Sequence, residues 1–174
     1  GIIDTQLTGD FWAVTLPDLL DSSAAWSPYL FGYYASLILL DARALFSDMK
    51  IDDLLDPDVN SPKSPVERHH LFPKSYLSSI GITGTTRTNQ IGNFAFVEWK
   101  DNIDISDRKP AEYFREYVQD MEPTELEAAQ FWHALAPDWD NMDYFDFLRD
   151  RRSRIAQVVK AGYERLKTSA IETT

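Results

Sequence analysis

The sequence predicts a mainly helical α+β fold in which helices enclose one small ββα unit. Three observations lead there. Helix-start signals recur along the chain, at Ser27-Pro28, at Pro110 and at Thr124-x-x-Glu127, each ahead of apolar positions at helical spacing. Only two short segments, 66–72 and 93–99, read as strands. A polar stretch from Asp101 that reads as a helical turn follows the second of them. With 174 residues, 44% of them hydrophobic, the chain is long and apolar enough for one domain with its own core.

In order, Ser27 stands where a helix N-cap would be and Pro28 suits the first turn, so a helix is expected over 28–46. It is apolar nearly all round and is therefore expected to be central. Residues 52–65 (DDLLDPDVNSPKSP) read as a helical turn and then a loop that delivers the chain to two adjacent histidines. A short strand is expected over 66–72, a short helix over 73–80 ended by Gly81, and a loop over 81–88. Phe94, Phe96 and Val97 give 93–99 its strand character. Pro110 opens a helix to about 118, and Thr124 with Glu127 forms a capping box for the next. The last helix, about 143–166, carries Leu148, Ile155, Val159, Gly162 and Leu166 within one arc. Its arginines, Arg149, Arg151, Arg152 and Arg154, spread round it and form no single basic face; they read first as solvated or ion-paired groups and second as nucleic-acid contacts.

The net charge is −11, which at first opposes a nucleic-acid partner. Its distribution matters more. Residues 1–60 hold ten acids and two bases, residues 111–174 thirteen and eight, but residues 61–110 hold five acids and seven bases. That positive block, with Lys63, Arg68, Lys74, Arg87, Lys100, Arg108 and Lys109, surrounds the histidine pair; its bases read equally as phosphate-cleft lining or as solvated side chains. The apolar run 29–40 is too short to span a bilayer, and the first residues lack a secretory pattern, so no membrane partner is expected. The chain has no cysteine, and a cytoplasmic setting is the default reading.

The chemistry-bearing residues are sparse. Of three histidines, His69 and His70 are adjacent. Neighbours on a strand point to opposite faces, so both rings serve one site only where the strand ends or distorts, and Pro73 supplies an ending. As a dipeptide the pair reads more readily as structure. Asn93, 23 positions after His70, and Asn102, nine further on, change this, because two strands and a helix in this order bring all four together. His133, in an apolar helical setting, reads as a core residue. Asn89 reads equally as a turn former or a support for the site, and Glu98 and Asp101 read as surface carboxylates.

These residues resemble the HNH endonucleases. His69-His70 followed by Leu71-Phe72-Pro73 matches the family's ligand, base and apolar-x-Pro tail, and the nine-residue step between asparagines looks like that of the HNH domain of CRISPR RNA-guided nucleases. Arg68-His69-His70-Leu71-Phe72-Pro73-Lys74, Asn89-Gln90-Ile91-Gly92-Asn93, Glu98-Trp99-x-Asp101-Asn102 and Ile105-Ser106-Asp107-x-x-Pro110 resemble the C-terminal regions of GmrSD-like modification-dependent restriction proteins and their phosphorothioate-sensing phage-defence relatives. The resemblance implies a ββα-metal core over 66–110 between helical scaffolds at 1–60 and 111–174. It implies a C-terminal nuclease fragment whose full-length protein carries an N-terminal nucleotide-dependent sensor domain.

It further implies hydrolysis of DNA leaving 5′-phosphate and 3′-hydroxyl ends, with His70 as general base and His69 and Asn102 as ligands of a single Mg²⁺ or Mn²⁺. Asn93 would bridge backbone groups and fix His70; Arg68, Lys74, Arg108 and Lys109 would hold phosphates. Many relatives have a further histidine ligand, absent here before His133. Two other readings share the sequence: a non-cleaving DNA- or partner-binding module under the sensor domain's control, and an RNA nuclease.

Overall fold

The computed structural model describes residues 7–24, 26–55 and 66–172. The delivering loop 56–65 with Lys63, and the side chains of residues 66–68 and 99, lie outside the described residues. The protein is 64% helical with one two-stranded antiparallel sheet among the described residues, so the mainly helical α+β class holds.

A π-type turn at Phe11–Thr15 runs into α1 (Leu16–Leu19). Helix α2 (Pro28–Leu39) starts where Ser27 and Pro28 predict, with Ser27 extended and Pro28 in the first turn, although the Ser27 hydroxyl makes no capping bond. It ends seven residues before the expected Phe46. Asp41 adopts a left-handed φ of 56° and Arg43 then bridges Lys50, so the chain doubles back. Neither is it buried all round: Leu30, Tyr33 and Leu37 face inward, whereas Phe31 is 45% exposed. A short α3 (Ile51–Leu55) follows.

Strand β1 (Val66–His70) is followed by α4 (Lys74–Ser79) and α5 (Thr85–Thr88), the latter inside the expected loop. Gly81 ends α4 at a φ of 84°, a conformation that favours glycine. A 3₁₀ turn at Ile91–Asn93 leads into β2 (Phe94–Glu98), and α6 (Trp99–Ile105) continues from it with no loop between. β1 and β2 pair antiparallel with His69 opposite Ala95 and His70 opposite Phe94. Opposed residues share a face, so His69 lies with Ala95 and Val97, and His70 with Phe94 and Phe96.

The sheet separates two apolar clusters. Ala95 and Val97 join Leu71, Phe72, Ile105, Tyr113 and Trp139, while Phe96 joins Leu30, Leu37 and Ile155. Period-2 alternation along one strand thus feeds both cores. Helix α7 (Pro110–Val118) matches its expected bounds. For α8 (Pro123–Trp132) the capping box is Glu122 with Glu125, two residues before the expected pair, because Pro123 takes the first helical position.

Helix α9 (Tyr144–Glu172) runs six residues beyond its expected end. It packs on α2 so closely that a Cβ on Gly162 would sit 2.5 Å from the Ser36 Cβ. Arg151, expected at the surface of this helix, is fully buried. Its Nε donates to the His133 carbonyl at 3.0 Å and Nη1 to the Gly92 carbonyl at 2.8 Å, tying α9 to the turn before β2. Among the described residues, no helix is long and apolar enough to cross a membrane.

Candidate functional site

The site is built on a turn whose peptide groups are all held. Where β1 ends at His70, the Leu71 N–H donates to the Asn93 carbonyl at 2.8 Å and the Leu71 carbonyl accepts from the Tyr113 hydroxyl at 2.6 Å. The Asn93 side chain, wholly buried, holds the next residue from both sides. Its Oδ1 accepts from the Phe72 N–H at 2.8 Å, and its Nδ2 donates to the carbonyls of Phe72 at 3.1 Å and Thr88 at 3.0 Å. An amide is suited to this, since it presents an acceptor and two donors in one plane. Asn93 holds the turn that follows His70.

The two histidines have different surroundings. His69 is 3% exposed, edge-on to the Tyr113 ring, with Nδ1 2.8 Å from Asn102 Oδ1. Burial lowers its pKa from the ordinary 6.5 to about 4, against the opposing effect of the Asn102 bond, so the ring is neutral near pH 7. Its Nε2 is buried with no hydrogen-bond partner among the described residues. His70, half-buried, packs against Phe94 with ring centroids 4.6 Å apart and planes tilted by 53°, and lies with Nε2 3.1 Å from Asn89 Oδ1. Because an amide oxygen only accepts, Nε2 carries the proton in that bond and the lone pair falls on Nδ1.

So β1, α6 and the turn bring His69 to Asn102, and the segment after α5 brings Asn89 to His70. The regular pairing through His70 leaves the two rings on opposite faces of the sheet, so the expected gathering of His69, His70, Asn93 and Asn102 at one face is not what the strand pairing gives. Asn89 does both things the sequence left open, closing the α5 turn through its N–H and contacting His70 through its side chain; no spacing rule points to that contact. Asp101, expected at the surface, is 6% exposed, and burial raises its pKa. Glu98 bonds to Ser47. Of the expected phosphate-holding residues, Arg108 is paired with Glu116, while Lys74 and Lys109 are exposed and, among the described residues, no hydrogen bond or ion pair joins them to the histidines. The Arg68 side chain lies outside the described residues. His133 is 1% exposed, as a core residue should be, with Nε2 donating to the Arg43 carbonyl at 2.9 Å.

Among the described residues, no group of three or more His, Cys, Asp or Glu side chains gathers as a metal cage. What the site offers is one neutral imidazole and one amide oxygen. Because the amide oxygen only accepts, the 2.8 Å contact is an Nδ1–H donating to Oδ1; a cation held by these two atoms would take the place of that proton, with the ring hydrogen then on Nε2. Two neutral donors fit a hard cation completed by water and phosphate oxygens, and do not fit a closed zinc site, which wants four nitrogen or sulfur ligands. No family model, no curated protein and no solved structure matches the chain.

Proposed function

We propose that the chain is a metal-dependent nuclease module of the HNH type, hydrolysing phosphodiester bonds of DNA, and that it serves restriction or phage defence as part of a longer protein with a sensor domain. The single observation that carries this reading is the convergence of His69 with Asn102 on a ββα unit whose turn is locked by Asn93. His69 and Asn102 would hold a Mg²⁺ or Mn²⁺ ion, and that ion supplies charge to offset the developing negative charge on the phosphate and on the departing oxygen.

The residues of the chain do the rest. His70 takes the proton from the attacking water, a role suited to an imidazole whose ordinary pKa is about 6.5. Asn89 keeps the Nε2 proton in place, which leaves the lone pair on Nδ1, and Phe94 holds the ring plane. Asn93 keeps the strand end from relaxing, so the proton acceptor stays within reach of the water. Burial keeps His69 in the neutral form that a ligand must have.

The test is nicking of supercoiled plasmid. Wild-type protein with Mg²⁺ or Mn²⁺ converts it to open circles, and His70→Ala lowers the rate by about 10²–10⁴-fold with the fold intact. Unchanged nicking by purified His70→Ala protein overturns the assignment.

A further inference from the structure

We infer that a cleft of about 340 Å³ between α5 and the start of α9 is a phosphodiester-binding subsite that holds a nucleic-acid strand where it leaves the His70 site. It is lined by Arg87, Arg149 and Arg152 with Gln90, Phe145 and a single carboxylate, Asp21. Counting Asp146, which pairs with Arg149, that is three cations to two anions, a local excess of one positive charge on a chain of net charge −11.

The chemistry of the lining suits a strand. Arg149 is exposed and holds Asp146, and the largely buried Arg152 holds Asp21 at 3.0 Å; the exposed Arg149 pair exchanges a carboxylate for a phosphate at little cost. Phe145 is 46% exposed beside them, a flat apolar face on which a base stacks. The Gln90 Nε2 donates to the Thr86 carbonyl at 2.7 Å, which fixes this side chain at the cleft wall.

The cleft also lies beside the proposed reaction centre. In one four-residue stretch, Arg87 and Gln90 line the cleft while Asn89 reaches His70. The Tyr144 hydroxyl bonds the Arg87 carbonyl at 2.8 Å, which fixes this stretch against the first turn of α9. A phosphate in the cleft is thereby held in register with the bond presented to His70. The placement beside the reaction centre rests on the nuclease reading; the cleft's binding chemistry does not.

The experiment is fluorescence anisotropy of labelled single-stranded oligonucleotides with the full chain in EDTA, where binding is read without cleavage. DNA and RNA of one sequence are run in parallel, and arginine-dependent binding in either supports the subsite while their ratio assigns the source. The Arg87→Ala/Arg149→Ala double variant is expected to bind at least tenfold more weakly, with the salt slope reduced by about 0.7 per arginine. Phe145→Ala, a separate exposed change, is expected to lose about fivefold or more. Arg154→Ala, whose partner is Asp150 away from the cleft, changes neither. Failure of the wild type to bind at low salt, or affinity and slope unchanged in the folded double variant and in Phe145→Ala, overturns the inference. Retained His70-dependent nicking beside that result would leave the nuclease reading standing, and arginine-dependent binding without nicking would remove that reading alone.

Discussion

His69 and His133 are both buried, and burial lowers both to about pKa 4, yet their hydrogen-bond partners differ in kind. His133 donates to a backbone carbonyl of Arg43 and sits beside the buried Arg151, with the surrounding groups contributed by helices and their connections. His69 meets a side-chain amide, Asn102, across a strand and helix that join without a loop. The His133 bond to a backbone carbonyl ties core segments together, whereas under the proposed function the Asn102 oxygen beside His69 would be the second ligand atom. A depressed histidine pKa therefore marks burial in both places and function in neither; the partner's chemistry separates them.

The largest expected effect comes from removing what holds the turn after the histidine pair in shape. Asn93→Ala leaves the Phe72 N–H and the Phe72 and Thr88 carbonyls without their partner, all buried at the turn. A loss of about 3–5 kcal/mol in urea unfolding is expected, and a loss under about 1 kcal/mol would show that the turn holds itself.

Next in size is the acid response of His133. Its folded pKa, about 4, lies below the ordinary 6.5, so the unfolded chain takes up the proton first as pH falls. The stability it contributes is present above pH 6.5 and is lost as pH falls to 4, by about 3 kcal/mol at 1.36 kcal/mol per unit. His133→Leu should flatten the stability profile over that window by this amount, whatever it does to the absolute value. An unchanged slope would place the titration elsewhere.

The smallest expected effect separates the two histidines by ligand. Saturating Mn²⁺ should raise the unfolding free energy of wild type and of His133→Leu by about 1–3 kcal/mol, through binding to the folded state alone. His69→Ala and Asn102→Ala should show no such rise. A rise that survives both would move the cation to other residues.

Much of this comparison was legible in the sequence where local chemistry dominates. Ser27-Pro28 marks the start of α2, the aromatic run marks β2, and the spacing to Asn93 and Asn102 anticipates the turn held by Asn93 and the contact of Asn102 with His69. The end of α2 was hidden because no glycine or proline marks it; Asp41 takes the left-handed turn that a glycine would have signalled. Arg151 was misjudged because its place inward depends on two carbonyls far away in sequence, those of Gly92 and His133. The Asn89 contact with His70 and the burial of Asp101 were likewise set by tertiary packing, which local pattern does not encode.

The most direct test of the central claim is one plasmid-nicking series in Mg²⁺ and Mn²⁺ with wild type, His69→Ala, His70→Ala and His133→Leu, each checked for fold by circular dichroism. Cleavage by wild type and His133→Leu, with loss of about 10² or more in the other two, is the expected result. Equal activity in all four, or none in a folded wild type, would contradict it.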